Sequence, residues 1–294
     1  MKPPLPTIDG IGPSCLTLRQ GHWKNILEFL TEHFPNIHQE TWGHRMGKGE
    51  VVDENGVRLN PSSPYETGTR VFYYRSLDNE LAMPFEENIL YQDDNLIVAD
   101  KPHFLPVVPS GRFLRETLLI RLKKKFSLED LVPIHRIDRD TAGIVIFSCN
   151  PATRGAYTSL FQKHKVEKVY EAIAPNLPGT RFPIIYRSCM ARGEPFFRMK
   201  QIEGNVNSET RIDILEVRDN VTLYQLRPLT GRKHQLRVHL AALGIPIIND
   251  RIYPNVLPRA ADDFSRPLKL LARSISFDDP LTGQYRHFKS NKIL

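Results

Sequence analysis

Residues 135–143 read HRIDRDTAG. One aspartate, Asp138, stands between Arg136 and Arg139, and the small residues Thr141, Ala142 and Gly143 follow as a turn. Flanking guanidinium groups favour the ionised carboxylate, so Asp138 is expected to be an anion available as nucleophile or base. Arginine suits phosphates and the planar groups of nucleic acids. A carboxylate among arginines therefore points to chemistry on RNA or DNA. The plainer reading is a surface ion pair ahead of a strand, because Ile-Val-Ile-Phe follows at 144–147. The string alone does not choose between the two.

Working outward, two longer segments accompany it. One is LYQDDNLIVADKPHFLPVVPSG, from Leu90 to Gly111, and the other is RPLTGRKHQLRVHLAALGIPIINDRIYP, from Arg227 to Pro254. A shorter fragment, Lys168-Val169-Tyr170-Glu171-Ala172, carries a Lys-x-Tyr pattern. In this order and at these separations the segments resemble the RluA-type pseudouridine synthases. The resemblance covers roughly residues 86 to 280, and several long ordered motifs carry it. One departure is Thr141-Ala142-Gly143, where the family more usually has Thr-Ser-Gly. Alanine loses a hydroxyl and keeps the turn small.

The bulk properties fit such a partner. The 294 residues suffice for one large domain and a small one, and 40% hydrophobic content supports a sizeable core. Forty Lys+Arg against 33 Asp+Glu leave +7, a modest excess that suits a polyanion without proving one. No stretch approaches the ~20 apolar residues of a membrane-spanning helix. The opening MKPPLPTIDGIGPS lacks the apolar run of a secretory signal. Three cysteines, Cys15, Cys149 and Cys189, are widely spaced and form no Cys-x-x-Cys pair. Neither a disulfide framework nor a zinc site is suggested, and a reducing cytoplasm is the simplest setting.

Residues 1–14, rich in Pro and Gly, read as an extended arm. Apolar positions Ile26, Leu27, Phe29, Leu30 and Phe34 suit one helix face within Trp23–Phe34. Val51 and Val52 precede Asn55-Gly56, a strong hairpin signal, and Val71–Tyr74 suits a closing strand. This block, 15–76, resembles the small RNA-binding domain that many pseudouridine synthases carry at the N-terminus. Its basic helix is thin, with only His44, Arg45 and Lys48, so a packing domain is the alternative. Residues 77–88, with Asp78, Glu80, Glu86 and Glu87, read as a linker. Residues 89–294 read as the catalytic domain. Strands are predicted at Leu96–Ala99, Ile144–Phe147 and Val169–Ala174, and across Thr210–Leu226 with alternation at Ile212, Ile214 and Val217. Helices are predicted at Phe113–Phe126, Pro151–His164 and Gln235–Leu243, the last stopped by Gly244. The expected class is α/β (α+β): a pseudouridine synthase fold with a mixed, mainly antiparallel central sheet, plus the small N-terminal RNA-binding-like α/β domain.

The resemblance implies a reaction and roles. Pseudouridine formation breaks the bond from ribose to base nitrogen, rotates the uracil and rejoins it through carbon 5. No atoms are gained or lost, so no cofactor and no metal are expected. A carboxylate and shielding from water are required. By resemblance Asp138 is that carboxylate, attacking base or sugar, or removing a sugar proton. Arg136 fills the gap left by the flipped base, with a phosphate clamp or ion pair as its alternative. Arg139 is structural or binds phosphate. Tyr170 matches the active-site tyrosine, and Arg237 matches the arginine paired with the carboxylate, with Arg232 the competitor. His135, His234 and His239 form a weak zinc signal; structural hydrogen bonds are the expectation, and His234 is grouped with the RNA contacts. Lys101 is expected at substrate phosphate or packed by its stem. Basic clusters at Arg121–Lys125, including Lys123 and Lys124, and at Lys163, Lys165 and Lys168 are either RNA contacts or solvated faces.

The resulting expectation is an isomerase acting on structured RNA, ribosomal RNA favoured over tRNA, as a monomer. Two alternatives stand beside it: a non-catalytic RNA-binding or chaperone protein of the same fold, and a base-excising glycosylase. The intact set Asp138, Tyr170 and Arg237 argues against the first. The single candidate carboxylate argues against the second, since most glycosidases use two.

Overall fold

A computed structural model describes residues 3–75, 80–258 and 262–294. The chain forms two compact units. The first holds residues 1–80 with 110–115 and 123–129, and the second holds the remainder.

In the first unit, β1 (Ser14–Thr17), α1 (Ile26–His33), α2 (Gln39–Gly47), β2 (Val51–Val52) and β3 (Arg70–Tyr73) make a three-stranded sheet of order β1-β3-β2 with two helices. Asn25 caps α1 through its side chain, which accepts from Glu28 N–H at 2.8 Å. The core collects Ile26, Leu30, Trp42, Met46, Val51 and Val71. Arg45 is buried in it, its guanidinium 5.0 Å from the Trp42 ring, so the thin basic helix loses one more exposed cation. The segment before β1 is not extended throughout: Ile8 and Ile11 bridge across Asp9-Gly10, both at positive φ. The Asn55-Gly56 turn forms with Gly56 at φ 81°. It carries only a single bridge, Val52 to Arg58, and the strand partner of β2 is β3. The expected linker, 77–88, lies partly outside the described residues, Asp78 included.

The second unit contains β4 (Asn88–Gln92), β5 (Leu96–Lys101), β6 (Val132–Pro133), β7 (Ala142–Ser148), α4 (Arg154–Gln162), β8 (Glu167–Pro175) and β9 (Ile184–Arg192). It continues with β10 (Met199–Ile202), β11 (Ser208–Val217), β12 (Val221–Pro228), α5 (Gln235–Ala242), β13 (Leu270–Asp278) and β14 (Tyr285–Lys289). Helix α3 (Leu118–Phe126) belongs to this unit as far as Leu122. It begins at Leu118 rather than at Phe113; ahead of it the Glu80 carboxylate accepts from the N–H groups of Leu114 and Arg115 at 2.6 and 2.8 Å.

The sheet runs β10-β9-β11-β12-β8-β13-β7-β5-β4, with β14 on β13 and β6 on β7. It is mixed and mainly antiparallel; β7 and β13 pair in parallel at Ala142 to Leu271 and Gly143 to Ala272. Strands β5 and β7 are buried along their whole length, as strands covered on both faces must be. One cluster packs α5 through Leu236 and Leu240 on Ala172, Tyr224 and Leu270, and another packs α4 through Tyr157 and Leu160 on Val98, Ile146 and Ile275. Ile212 is buried, but Ile214 and Val217 are exposed. A bulge between Ile214 and Glu216 breaks the expected alternation. No helix among the described residues is long and apolar enough to cross a membrane.

Candidate active site around Asp138

The segment Asp138–Thr141 is a tight turn between β6 and β7, closed by Thr141 N–H donating to the Asp138 carbonyl at 3.2 Å. Ala142 and Gly143, expected in the turn, already belong to β7. Gly143 has φ 110°, and a Cβ there would lie 2.2 Å from the Ala272 carbonyl oxygen. Only glycine lets the two parallel strands approach this closely.

The end of β5 holds the turn from beneath. Lys101 Nζ donates to the carbonyls of Pro102 at 2.8 Å and Arg139 at 2.9 Å. It is fully buried, which pushes its pKa down to about 7, opposed by the charges of Asp140 and Asp138. The Lys101 ammonium is taken up by these two carbonyls, in line with the packed alternative. His103 Nδ1 donates to the Asp140 carbonyl at 2.7 Å, and burial pushes this imidazole down to about 4.

The other wall comes from α5. Gln235, at its start, ties the helix to β11: its Nε2 donates to Glu209 O and Thr210 Oγ1, both at 2.9 Å. Its Oε1 accepts from Thr230 Oγ1 at 2.7 Å and Arg232 N–H at 3.0 Å. Arg237 then projects onto two carboxylates. Its Nε and Nη2 each donate to Asp250 at 2.7 Å, and its Nη1 donates to Asp138 Oδ2 at 3.2 Å. Burial disfavours the charged guanidinium, but the bonds and charge of Asp250, then the charge of Asp138, hold it protonated. The side chains of Arg237 and Asp250 are 2% and 1% exposed, whereas Asp138 keeps 23%. Asp250 thus absorbs most of the arginine, and Asp138 stays partly open to a ligand.

His234 Nε2 lies 3.8 Å from Asp138 Oδ1, and its Nδ1 lies 2.9 Å from the Tyr253 hydroxyl. Burial lowers its pKa, partly offset by Asp138, so the ring is neutral near pH 7. Tyr253 also accepts from Met199 N–H at 2.8 Å, and the Arg237 guanidinium sits 5.4 Å from its ring. Tyr170 stands on β8, packed against the α5 cluster. Burial and then the nearby charge of Asp138 raise its pKa, which keeps a neutral phenol beside the carboxylate.

The arginines beside Asp138 in sequence are not its partners in space. Arg139 pairs with Asp140 at 3.0 Å and Asp262 at 2.5 Å. Arg136 is exposed, with no ion pair or side-chain hydrogen bond among the described residues. Arg232 is also exposed, donating to the Asn207 carbonyl at 3.1 Å, so the contact to Asp138 comes from Arg237. Lys168 donates to the Thr230 carbonyl at 3.2 Å, which clamps that loop, and burial lowers its pKa. Lys123 and Lys124 belong to the first unit. His135 stacks on Phe161 at 4.8 Å and accepts from Ile146 N–H, while His239 bonds Ser188, Ser208 and Thr210. No group of three or more His, Cys, Asp or Glu is placed to hold a metal among the described residues. Asp250 and Tyr253 were in the quoted segment but were not singled out. The signal was a lone acid in Asn-Asp-Arg-Ile-Tyr-Pro following a helix that carries a buried arginine.

Residues 95–242 match the family model described as RNA pseudouridylate synthase. The Dual-specificity RNA pseudouridine synthase RluA of Haemophilus influenzae is 31% identical over 210 residues, 69% of this chain and 92% of that protein. An uncharacterized RNA pseudouridine synthase of Synechocystis is 28% identical over 243 residues, 78% of this chain and 79% of that one. In fold, the human RNA Pseudouridylate Synthase Domain Containing 1 aligns with TM-score 0.58 and 24% identity, covering 70% of this chain and 84% of that one. The chain belongs to the RluA-type RNA pseudouridine synthases and is an isomerase.

Proposed function

We propose that Asp138 is the reacting carboxylate and that the chain converts specific uridines of a structured RNA to pseudouridine. The observation that supports this is the sharing of Arg237: Asp250 takes two 2.7 Å bonds, and Asp138 takes one of 3.2 Å. An aspartate oriented by a buried cation yet partly exposed can still reach a substrate.

The bond between ribose carbon 1 and base nitrogen 1 breaks, and a bond from carbon 1 to base carbon 5 forms. Nitrogen 1 gains a proton and carbon 5 loses one, so the balance is neutral. Asp138 attacks base or sugar, or removes a sugar proton; each route uses the same carboxylate. Tyr170, neutral and aromatic, stacks on the flipped uracil. Exposed Arg136 fills the place vacated in the RNA. Ribosomal RNA is the favoured substrate class because of the accessory block at the N-terminus. A tRNA is the second substrate class that the proposal keeps open. The chain acts as a monomer in a reducing cytoplasm.

The test is a pseudouridine map of total RNA from cells lacking this gene, complemented with wild type or Asp138→Ala. The proposal requires at least one site that disappears on deletion and returns only with wild type. An unchanged map, or full restoration by the alanine variant, rejects it.

A further inference from the structure

A pocket of about 410 Å3 lies between α5, the β9–β10 hairpin and Tyr253. Val238 and Ala242 of α5 give it an apolar wall, Gln201 an amide, and Arg198 and Lys200 a cationic rim. Its size falls among small-ligand sites. Tyr253 joins it to the Asp138 site. The Arg198 and Arg237 guanidinium carbons lie 5.2 and 5.4 Å from that one ring, and the Tyr253 hydroxyl bonds His234. Arg198 is fixed further by a bond to the Pro254 carbonyl.

The hairpin that frames the pocket ends in β10, an edge strand of the sheet. Residues 184–202 carry Arg187, Arg192, Arg198 and Lys200 against one acid, Glu194. At its tip Phe196 is 84% exposed and meets Phe197 edge-on at 5.6 Å. The ring thus stands open to solvent beside the cations of the hairpin. Unpaired nucleotides are bound by this combination: a cationic track, an aromatic or guanidinium plane for stacking, and an amide for a base edge.

We infer that the pocket and the tip of the β9–β10 hairpin receive an unpaired nucleotide of the substrate RNA other than the target uridine. This rests on the RNA isomerase reading and adds a second grip beside the flipped base. Tyr253 borders both the pocket and the Asp138 site.

The test uses the full chain and total RNA labelled with [5-3H]uridine from cells lacking the gene, since carbon 5 gives up its hydrogen when pseudouridine forms. The variants are Phe196→Ala, Lys200→Glu and Ala242→Glu, all at exposed positions, with Lys289→Glu on β14 as a charge control. Each hairpin or pocket variant is expected to raise KM roughly 5- to 150-fold, the range of one lost base stack, with kcat near wild type and the control near unity. Wild-type tritium release with unchanged KM in all three variants overturns the inference and leaves the isomerase reading intact. An equal effect of Lys289→Glu overturns it too, in favour of diffuse charge attraction. If wild type releases no tritium, the isomerase reading fails, and filter binding of the same RNA decides: equal affinities overturn the inference. A change of oligomeric state in Phe196→Ala with RNA affinity intact assigns the patch to a protein partner and also overturns it.

Discussion

Asp138 and Asp250 share one arginine, and replacing each by asparagine should have opposite consequences. Asp250 is 1% exposed and takes two of the guanidinium's bonds. Asp250→Asn keeps the volume, removes the charge and turns an amide N–H toward an arginine N–H. Removing one partner of a buried pair costs about 3–5 kcal/mol. The remaining bond and the Asp138 contact at 3.2 Å place the expected loss near the lower end, about 3 kcal/mol. At roughly 2–4 °C per kcal/mol for a unit of this size, Tm falls by about 6–12 °C. Asp138 is 23% exposed with one long bond, and Arg237 keeps Asp250 when it is lost. Asp138→Asn should therefore cost below about 1 kcal/mol while abolishing turnover. Thermal unfolding followed by circular dichroism, with tritium release for activity, separates the two. If Asp138→Asn lowers Tm as much as Asp250→Asn, or if Asp250→Asn leaves Tm unchanged, the assignment of Asp250 as the holder of Arg237 is wrong.

Gly143→Ala sets a methyl 2.2 Å from the Ala272 carbonyl at φ 110°; denaturant titration should show a loss of about 3 kcal/mol or more. His103, His135 and His239 are held neutral by burial, with pKa values of about 4, 3 and 4 against 6.5. Below pH 6.5 the unfolded chain takes up protons that these rings refuse when folded, so stability falls as pH drops toward 4. The slope is up to about 1.4 kcal/mol per pH unit for each ring. Urea midpoints at pH 7, 5.5 and 4.5 should decline, and His239→Gln should flatten the decline; an identical slope in the variant refutes this account. Tyr253→Phe removes the acceptor of Met199 N–H and the partner of His234. It should cost about 1–3 kcal/mol and lower kcat, both measurable on one preparation; wild-type values for both count against the shared role of Tyr253.

What was legible in the chain was local. Helix α5 ends at Ala242 with Gly244 at φ 79°, as its glycine stop suggests, and β7 was visible as an apolar run. Helix α2 was missed because Gln39–Gly47 offers only Trp42 and Met46 as large apolar residues and contains Gly43. Strands β9 and β10 alternate weakly, and their existence depends on pairing, β9 to β11 and β10 to β9, which local pattern does not encode. The same limit governs the site. Asp138 stood out by its flanking arginines, but its cation is Arg237, 99 residues away, to which only the family resemblance pointed, and Arg139 pairs elsewhere. For Lys101 the sequence left phosphate contact and a packed stem side by side; the fold shows it buried with its ammonium on the Arg139 carbonyl.

Single-turnover tritium release from unmodified [5-3H]uridine-labelled RNA, with wild type and Asp138→Asn side by side and the mass of the RNA measured afterwards, tests the central claim most directly. The account predicts release by wild type with RNA mass retained, and none by Asp138→Asn at unchanged Tm. Release by the asparagine variant, or loss of uracil mass from the RNA, would contradict it.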